Sequence, residues 1–295
     1  MTQLVQNLVD GLGRGSTYAL FALGITLIFG VMHLVNFAHG ELLTISAYTT
    51  YWLSTRGLGW WVAVPAILVV SVLSSMAMER VAFRRVRGAS PFTLLLTSFA
   101  LEILLHAIWQ ITVSAKLRQF PKPEFAFNTI EVAGIRFEVM DIVTIVVTAL
   151  VLVGTMWVFR RTMFGIAVRG ASEDFDAARL MGVRANRVIS GAFAFAGLLA
   201  GIASVLMLMR LGAAKPDMGS EPLLKAVIAA IIGGLGSFSG AVIGGLALGV
   251  AEAMFRSYLP SDISGLTDAF VFALIALLFI VRPQGLFNVT SAERV

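Results

Sequence analysis

Cysteine is absent from this chain, so disulfides, thiolate metal sites and a cysteine nucleophile are all excluded. Charge is scarce: 13% of the 295 residues are Asp, Glu, Lys or Arg, against roughly 25% in a soluble domain. No G-x-x-x-x-G-K-[ST] phosphate cradle occurs, nor a G-x-S-x-G elbow or an H-E-x-x-H zinc helix. The chain therefore has no ATP site of that kind and no mark of an intramembrane hydrolase. His33, His39 and His106 lack any metal-ligand spacing, so no metal, cofactor or catalytic residue is expected.

What is abundant is apolar. Hydrophobic residues make up 58% of the chain and the mean hydropathy is +0.89. Several apolar runs approach the ~20 residues a helix needs to cross a bilayer, and the alternation of a β-barrel is missing. The expected fold class is all-α, a polytopic membrane helical bundle forming one domain over 1–295. Apolar segments at 4–30, 40–54, 61–82, 92–114, 141–159, 188–210, 223–256 and 266–281 give about eight spans. The first residues lack a basic n-region and a small-residue cleavage site, so the first segment reads as a retained span.

Two places break the pattern. Asn36, His39 and Glu41 interrupt the apolar sequence near 31–41, and GGLGSFSG interrupts the segment 223–256 at 233–240. Irregular backbone survives at membrane depth only where protein or an aqueous cavity satisfies it, so both breaks read as broken or re-entrant helices with a functional cause. The segment 223–256 is either one kinked crossing or two crossings joined at the break.

Arginine sets the orientation. Arg80, Arg84, Arg85 and Arg87 lie within 79–91, and Arg160, Arg161, Arg169, Arg179, Arg184 and Arg187 within 160–187. Both stretches are expected to be cytoplasmic, which places the polar stretch 115–140 outside as a small extracytoplasmic lobe. The net charge of +5 then reflects anchoring loops, not nucleic-acid binding.

Within 164–183, Phe164, Val168, Ala171, Phe175, Ala178 and Met181 recur at helical spacing, while Arg169, Glu173, Asp176 and Arg179 fall on another face. Ser172 followed by two acids reads as an N-cap, and Gly182 as the residue that ends the helix, which predicts a short helix over about 173–181. This amphipathic knob is either an interfacial helix or a docking element for a cytoplasmic partner. Glycines four apart, at Gly11 and Gly15, Gly197 and Gly201, Gly236, Gly240 and Gly244, and Gly245 and Gly249, have the spacing that lets helix backbones approach in lipid. They serve packing within the chain or between subunits. Among the ionisable residues in apolar segments, Glu102 and His106, and Glu252 and Arg256, stand at i, i+4 and can pair on one helix face. The first pair also suits proton transfer.

Taken together, STYALFALGITLIFGVMHLVNFAHGELLTISAY (16–48), GIAVRGASEDFDAARLMGV (165–183), KAVIAAIIGGLGSFSGAVIGGLALGVAEA (225–253) and RPQGLF (282–287) resemble the LivH-type permease of branched-chain amino acid ABC importers over almost the whole chain. The resemblance implies a multi-pass subunit of the bacterial inner membrane, surrounded by membrane lipid. Its partners would be a second homologous permease, two cytoplasmic ATP-binding subunits and a periplasmic solute-binding protein. The substrate would be a branched-chain or related amino acid, and similar carriers take urea, short amides or aromatic acids. It further implies that Gly165, Val168, Arg169, Ser172, Glu173, Phe175, Arg179 and Gly182 belong to a coupling helix seated on the ATPase, and that Asn36, His39, Glu41 and Glu102 border the substrate pathway. Asn36, His39 and Glu41 would cap a broken helix or touch substrate. A stand-alone proton-coupled transporter using Glu102 and His106, and a channel-like subunit, are the rival readings.

Overall fold

The computed structural model describes residues 2–113, 115–132, 135–173, 175–260 and 264–281. Helix α1 (Thr2–Met32) is followed by a 3-10 turn (Phe37–Gly40) that leads into α2 (Glu41–Thr55). Next come α3 (Trp60–Met78), extended by a π-turn over Glu79–Phe83, and α4 (Pro91–Val113). A lobe then carries β1 (Arg118–Gln119) and the hairpin of β2 (Thr129–Val132) with β3 (Ile135–Glu138). Beyond it run α5 (Val139–Arg161), α6 (Met163–Glu173), α7 (Phe175–Leu180), α8 (Ala185–Leu211), β4 (Ala213–Ala214), α9 (Ser220–Gly233), α10 (Phe238–Tyr258) and α11 (Thr267–Val281).

Burial sorts these helices. In the most apolar window of each, 72% of α1 and of α8 is buried, against 28% of α3, 22% of α5 and 11% of α4. The first two are the core, and the other three present leucine, valine and isoleucine outward, as a lipid-facing helix must.

Glycine makes the central contact possible. Gly11 lies on the backbone of Val250, Gly15 on Gly245 and Leu246, and Gly245 on Ala19, so α1 and α10 run antiparallel with their backbones touching. A Cβ at Gly15 would stand 2.8 Å from the Gly245 carbonyl, closer than real side chains come. Gly197 and Gly201 let α8 settle on Ser71, Val72 and Ser75 of α3, where the Ser75 hydroxyl donates to the Phe193 carbonyl at 2.6 Å.

Among the described residues, six helices are long and apolar enough to cross a membrane: α1, α3 with its π-turn, α4, α5, α8 and α10. Helices α2, α9 and α11 have 15, 14 and 15 residues, roughly 21 to 23 Å of rise against a hydrocarbon core of about 30 Å. The expected segment 223–256 is a hairpin. Gly233 touches the backbone of Gly240 and Gly244 that of Ala229, so α9 and α10 turn back on each other across 234–237. Two ends result. At one, Gln6 of α1 donates to the Arg136 carbonyl, β1 pairs with β4, and Gln3 donates to Ser257 at 3.3 Å. At the other lie the arginine-bearing loops after α3 and α5. The segment expected as a lobe, 115–140, overruns by two residues, because α5 begins at Val139. The stretch 282–287, which carried part of the family resemblance, lies outside the described residues.

Candidate functional site

The first break in the helix pattern builds the centre of the bundle. Helix α1 stops at His33, which takes a left-handed φ of 51°. The buried Asn36 then caps the 3-10 turn, its side-chain oxygen accepting from the Ala38 amide at 3.1 Å. Gly40 and Gly219 press backbone to backbone, which seats the start of α2 on the start of α9: a Cβ at Gly40 would lie 2.6 Å from the Gly219 carbonyl. His39 points into the core. Its ring stands edge-on to Phe21 at 6.3 Å and against Gly24 of α1, fully buried, with no hydrogen-bond partner on either nitrogen among the described residues.

Glu41 opens α2 where the helix dipole favours an acid. It is 1% exposed, its Oε2 lacks a partner among the described residues, and the charge of Glu102 on α4 acts on it. Along the same face of α2 stand Tyr48 and Trp52, at i+7 and i+11. Tyr48 stacks on Trp109 of α4 with ring centroids 4.8 Å apart, and Trp52 is 6.2 Å from each of those rings. The Tyr48 hydroxyl, Trp109 Nε1, His106 Nδ1 and Arg118 Nε have no partner among the described residues. Buried polar atoms are almost always paired, so these atoms mark the contact between α2 and α4 as unusually polar for the interior of a bundle. The expected Glu102–His106 pair does not form; the His106 ring bonds Gln110 at 2.8 Å. Glu102, His106 and Gln110 nevertheless make an i, i+4, i+8 polar stripe along α4, the membrane helix with the smallest buried share.

A second cluster locks the lobe end. Lys225, 2% exposed, donates to Glu221 Oε1 at 2.7 Å and to Glu252 Oε2 at 3.2 Å, and lies 3.2 Å from Asp268. The Tyr18 hydroxyl donates to Glu252 at 2.8 Å, and Arg256 and Arg14 approach the same carboxylate at 2.8 and 3.8 Å. Three cations balance three anions and tie α1, α9, α10 and α11 together. Nearby, the buried Asp141 holds Arg210 at 2.8 Å, joining α5 to α8. At the other end the buried Glu79 is gripped by Arg84 at 3.0 Å, by Arg87 and by Ser190 at 2.7 Å, joining α3 to α8.

Within 164–183 the described residues are helical over α6 (Met163–Glu173) and α7 (Phe175–Leu180). Thr162 caps α6, its hydroxyl accepting from the Gly165 amide at 3.2 Å. Ser172 is not a cap: it sits in the last turn of α6 and donates to the Arg169 carbonyl at 2.7 Å. Gly165 packs on the Phe159 backbone, Arg169 bonds the Phe159 carbonyl, and Phe164 fills the notch left by Gly191 of α8. Val168, Ala171 and Ala178 are buried as the periodicity demands. Met181 departs from it at 86% exposed, beside Leu180 at 90%. Gly182, at φ +84°, turns the chain there in a Schellman motif, with Val183 N bonded to Ala178 O and Gly182 N to Arg179 O. Arg179 is exposed; the side chains of Glu173 and Phe175 lie outside the described residues.

Gly236 stands apart from the other spaced glycines. Gly240 and Gly244 touch α9, but Gly236 has nothing within 4 Å and supplies a positive φ of 96° to the turn. Sequence reasoning missed Tyr48, Trp109 and Lys225. The lysine inside the apolar run LLKAVIAAII was the one available signal for the third of these.

Residues 7–281 match the family model described as branched-chain amino acid transport system / permease component. The high-affinity branched-chain amino acid transport system permease protein BraD of Pseudomonas aeruginosa is 33% identical over 308 residues, covering 99% of this chain and 98% of that protein. Permease protein LivH of the corresponding Salmonella typhimurium system is 32% identical over 99% of this chain and 97% of its own length. From the same bacterium, permease protein LivM is 26% identical over 94% of this chain and 69% of its own length. No solved structure matches.

Proposed function

The chain belongs to the branched-chain amino acid transport permease family, and from that premise we propose that it is the membrane-spanning subunit of an importer driven by separate ATP-binding subunits. The solute is a branched-chain or closely related amino acid. Two named permeases of one Salmonella system both match this chain, which supports pairing with a second, homologous permease.

The observation that carries the placement of the path is the polar stripe Glu102, His106 and Gln110 on α4. A polar stripe on a membrane helix that packs on little of its own chain needs a neighbour other than lipid. In this reading the second permease covers α4, and the solute passes between α2 and α4 beside Glu41. The aromatic ring stack of Tyr48, Trp52 and Trp109 closes that path toward the lobe. Apolar rings suit a branched aliphatic side chain, and the unpartnered polar atoms suit its ammonium and carboxylate.

The arginine-bearing end is cytoplasmic and the lobe end outside, where a solute-binding protein docks. The α6–α7 knob receives the ATPase: Leu180 and Met181 are presented outward on a base clamped to α5 and α8. ATPase closure would move the knob as a lever, and the charge clamps at Glu79, Asp141 and Glu252 would keep the helices moving as rigid pieces. The proton-relay alternative has lost its pair, since His106 bonds Gln110 and not Glu102.

Co-purification from native membranes in mild detergent tests this reading. Recovery of a second permease and two ATP-binding subunits with ATPase activity is expected. Recovery of the chain alone, with no ATPase activity, would overturn it.

A further inference from the structure

At the arginine-bearing end a cavity of about 1030 Å³ opens between the last turn of α1, the loop after α3, and the junction of α7 with α8. Val31 and Met32 form part of its apolar wall, and Arg87, Arg179, Arg184 and Arg187 line the rest. Arg87 is already engaged, by Glu79 and by Asn186 at 2.6 Å. Among the described residues the other three guanidiniums have neither a hydrogen bond nor an ion pair, and none of those lining the cavity carries a carboxylate.

Three like charges gathered in one concavity repel one another, and an anion in their midst relieves that repulsion. Guanidinium groups match the oxygens of a phosphate, donating to them in bidentate pairs. Val31 and Met32 end a helix long enough to span the membrane, so the cavity lies at the depth of lipid headgroups, with apolar wall beside its cations. A soluble anion would have no use for that wall.

We propose that this cavity binds the phosphate of an anionic phospholipid from the leaflet at the arginine-bearing end, held by Arg179, Arg184 and Arg187. A lipid there touches both the end of α1 and the base of the α7 knob, and so ties the membrane surface to the moving element. The inference needs only a membrane-embedded chain, and it stands or falls apart from the identity of the transported solute.

The test uses the intact detergent-solubilised complex, delipidated and then titrated with phosphatidylglycerol, phosphatidylcholine or inorganic phosphate. Retained lipid is counted by native mass spectrometry, and thermal stability is read in parallel. Wild type should retain an anionic lipid and gain stability with phosphatidylglycerol alone. R184Q/R187Q should weaken that binding on the order of thirty-fold, while R160Q/R161Q, which removes two exposed arginines from the same end but outside the cavity, leaves it intact. Equal loss in both double variants would show diffuse surface attraction and overturn the site. Equal stabilisation by inorganic phosphate would overturn the lipid assignment. Should R184Q/R187Q fail to fold, the phosphatidylglycerol and phosphatidylcholine arms on wild type still decide: no difference between them overturns the proposal.

Discussion

Lys225 Nζ stands 3.2 Å from Glu252 Oε2, with both side chains at least 98% buried between α1, α9 and α10. A buried ion pair is costly to form but more costly to break, because the survivor is left charged without its partner. Glu221 shares Lys225, and Arg256 and Tyr18 share Glu252, so each half retains some compensation when the other is removed. Lys225→Met and Glu252→Gln are each expected to destabilise the protein by about 3 kcal/mol, near the low end for a broken buried pair. The double variant should cost less than the sum. Thermal unfolding of the four proteins in nanodiscs measures this; strict additivity would show that the pair is not coupled.

Gly40→Ala is expected to destabilise by about 1 to 3 kcal/mol, since a methyl group must be inserted where two backbones already touch. Gly154→Ala, on the outward face of α5 with nothing within 4 Å, should be neutral or stabilising. Thermal melting of the two single variants decides, and equal behaviour would mean that the α2–α9 junction yields more easily than its geometry suggests.

Leu180→Asp combined with Met181→Asp should leave the bundle folded, because both side chains are already in solvent, yet weaken recovery of the ATP-binding subunits at least about ten-fold, one desolvated apolar anchor's worth of binding. Pull-down with quantified ATPase is the measurement. Undiminished recovery would remove the α7 tip from the docking surface.

Because the chain has no cysteine, single cysteines can be placed without background. Gln110→Cys on the α4 stripe is expected to cross-link to the second permease, and Trp157→Cys on the outward face of α5 should not. Cross-linking only at position 157 would move the subunit interface to the other side of the molecule.

Much of this architecture was legible in the sequence because bilayer thickness and helical pitch leave few choices. Long apolar runs gave the helices, and the two breaks fell where α1 gives way to α2 and α9 to α10. Partners were harder to read. The i, i+4 rule offers His106 both Glu102 and Gln110, and nothing in the local pattern says that it takes the second. Ser172 before two acids has the form of a cap, but the helix had already begun ten residues earlier at Thr162. Four-residue glycine spacing found Gly11, Gly15, Gly245 and Gly249 without saying that they meet each other, and it did not show that Gly236 carries the positive φ of the turn. The stack of Tyr48 on Trp109 joins residues 61 positions apart, and no local pattern carries that.

The most direct test of the central claim is leucine uptake into proteoliposomes holding this chain alone, or this chain with its second permease, ATP-binding subunits and solute-binding protein. The account predicts uptake only in the complete set, dependent on ATP and indifferent to a protonophore. Uptake by the chain alone, abolished by the protonophore and untouched by ATP, would contradict it.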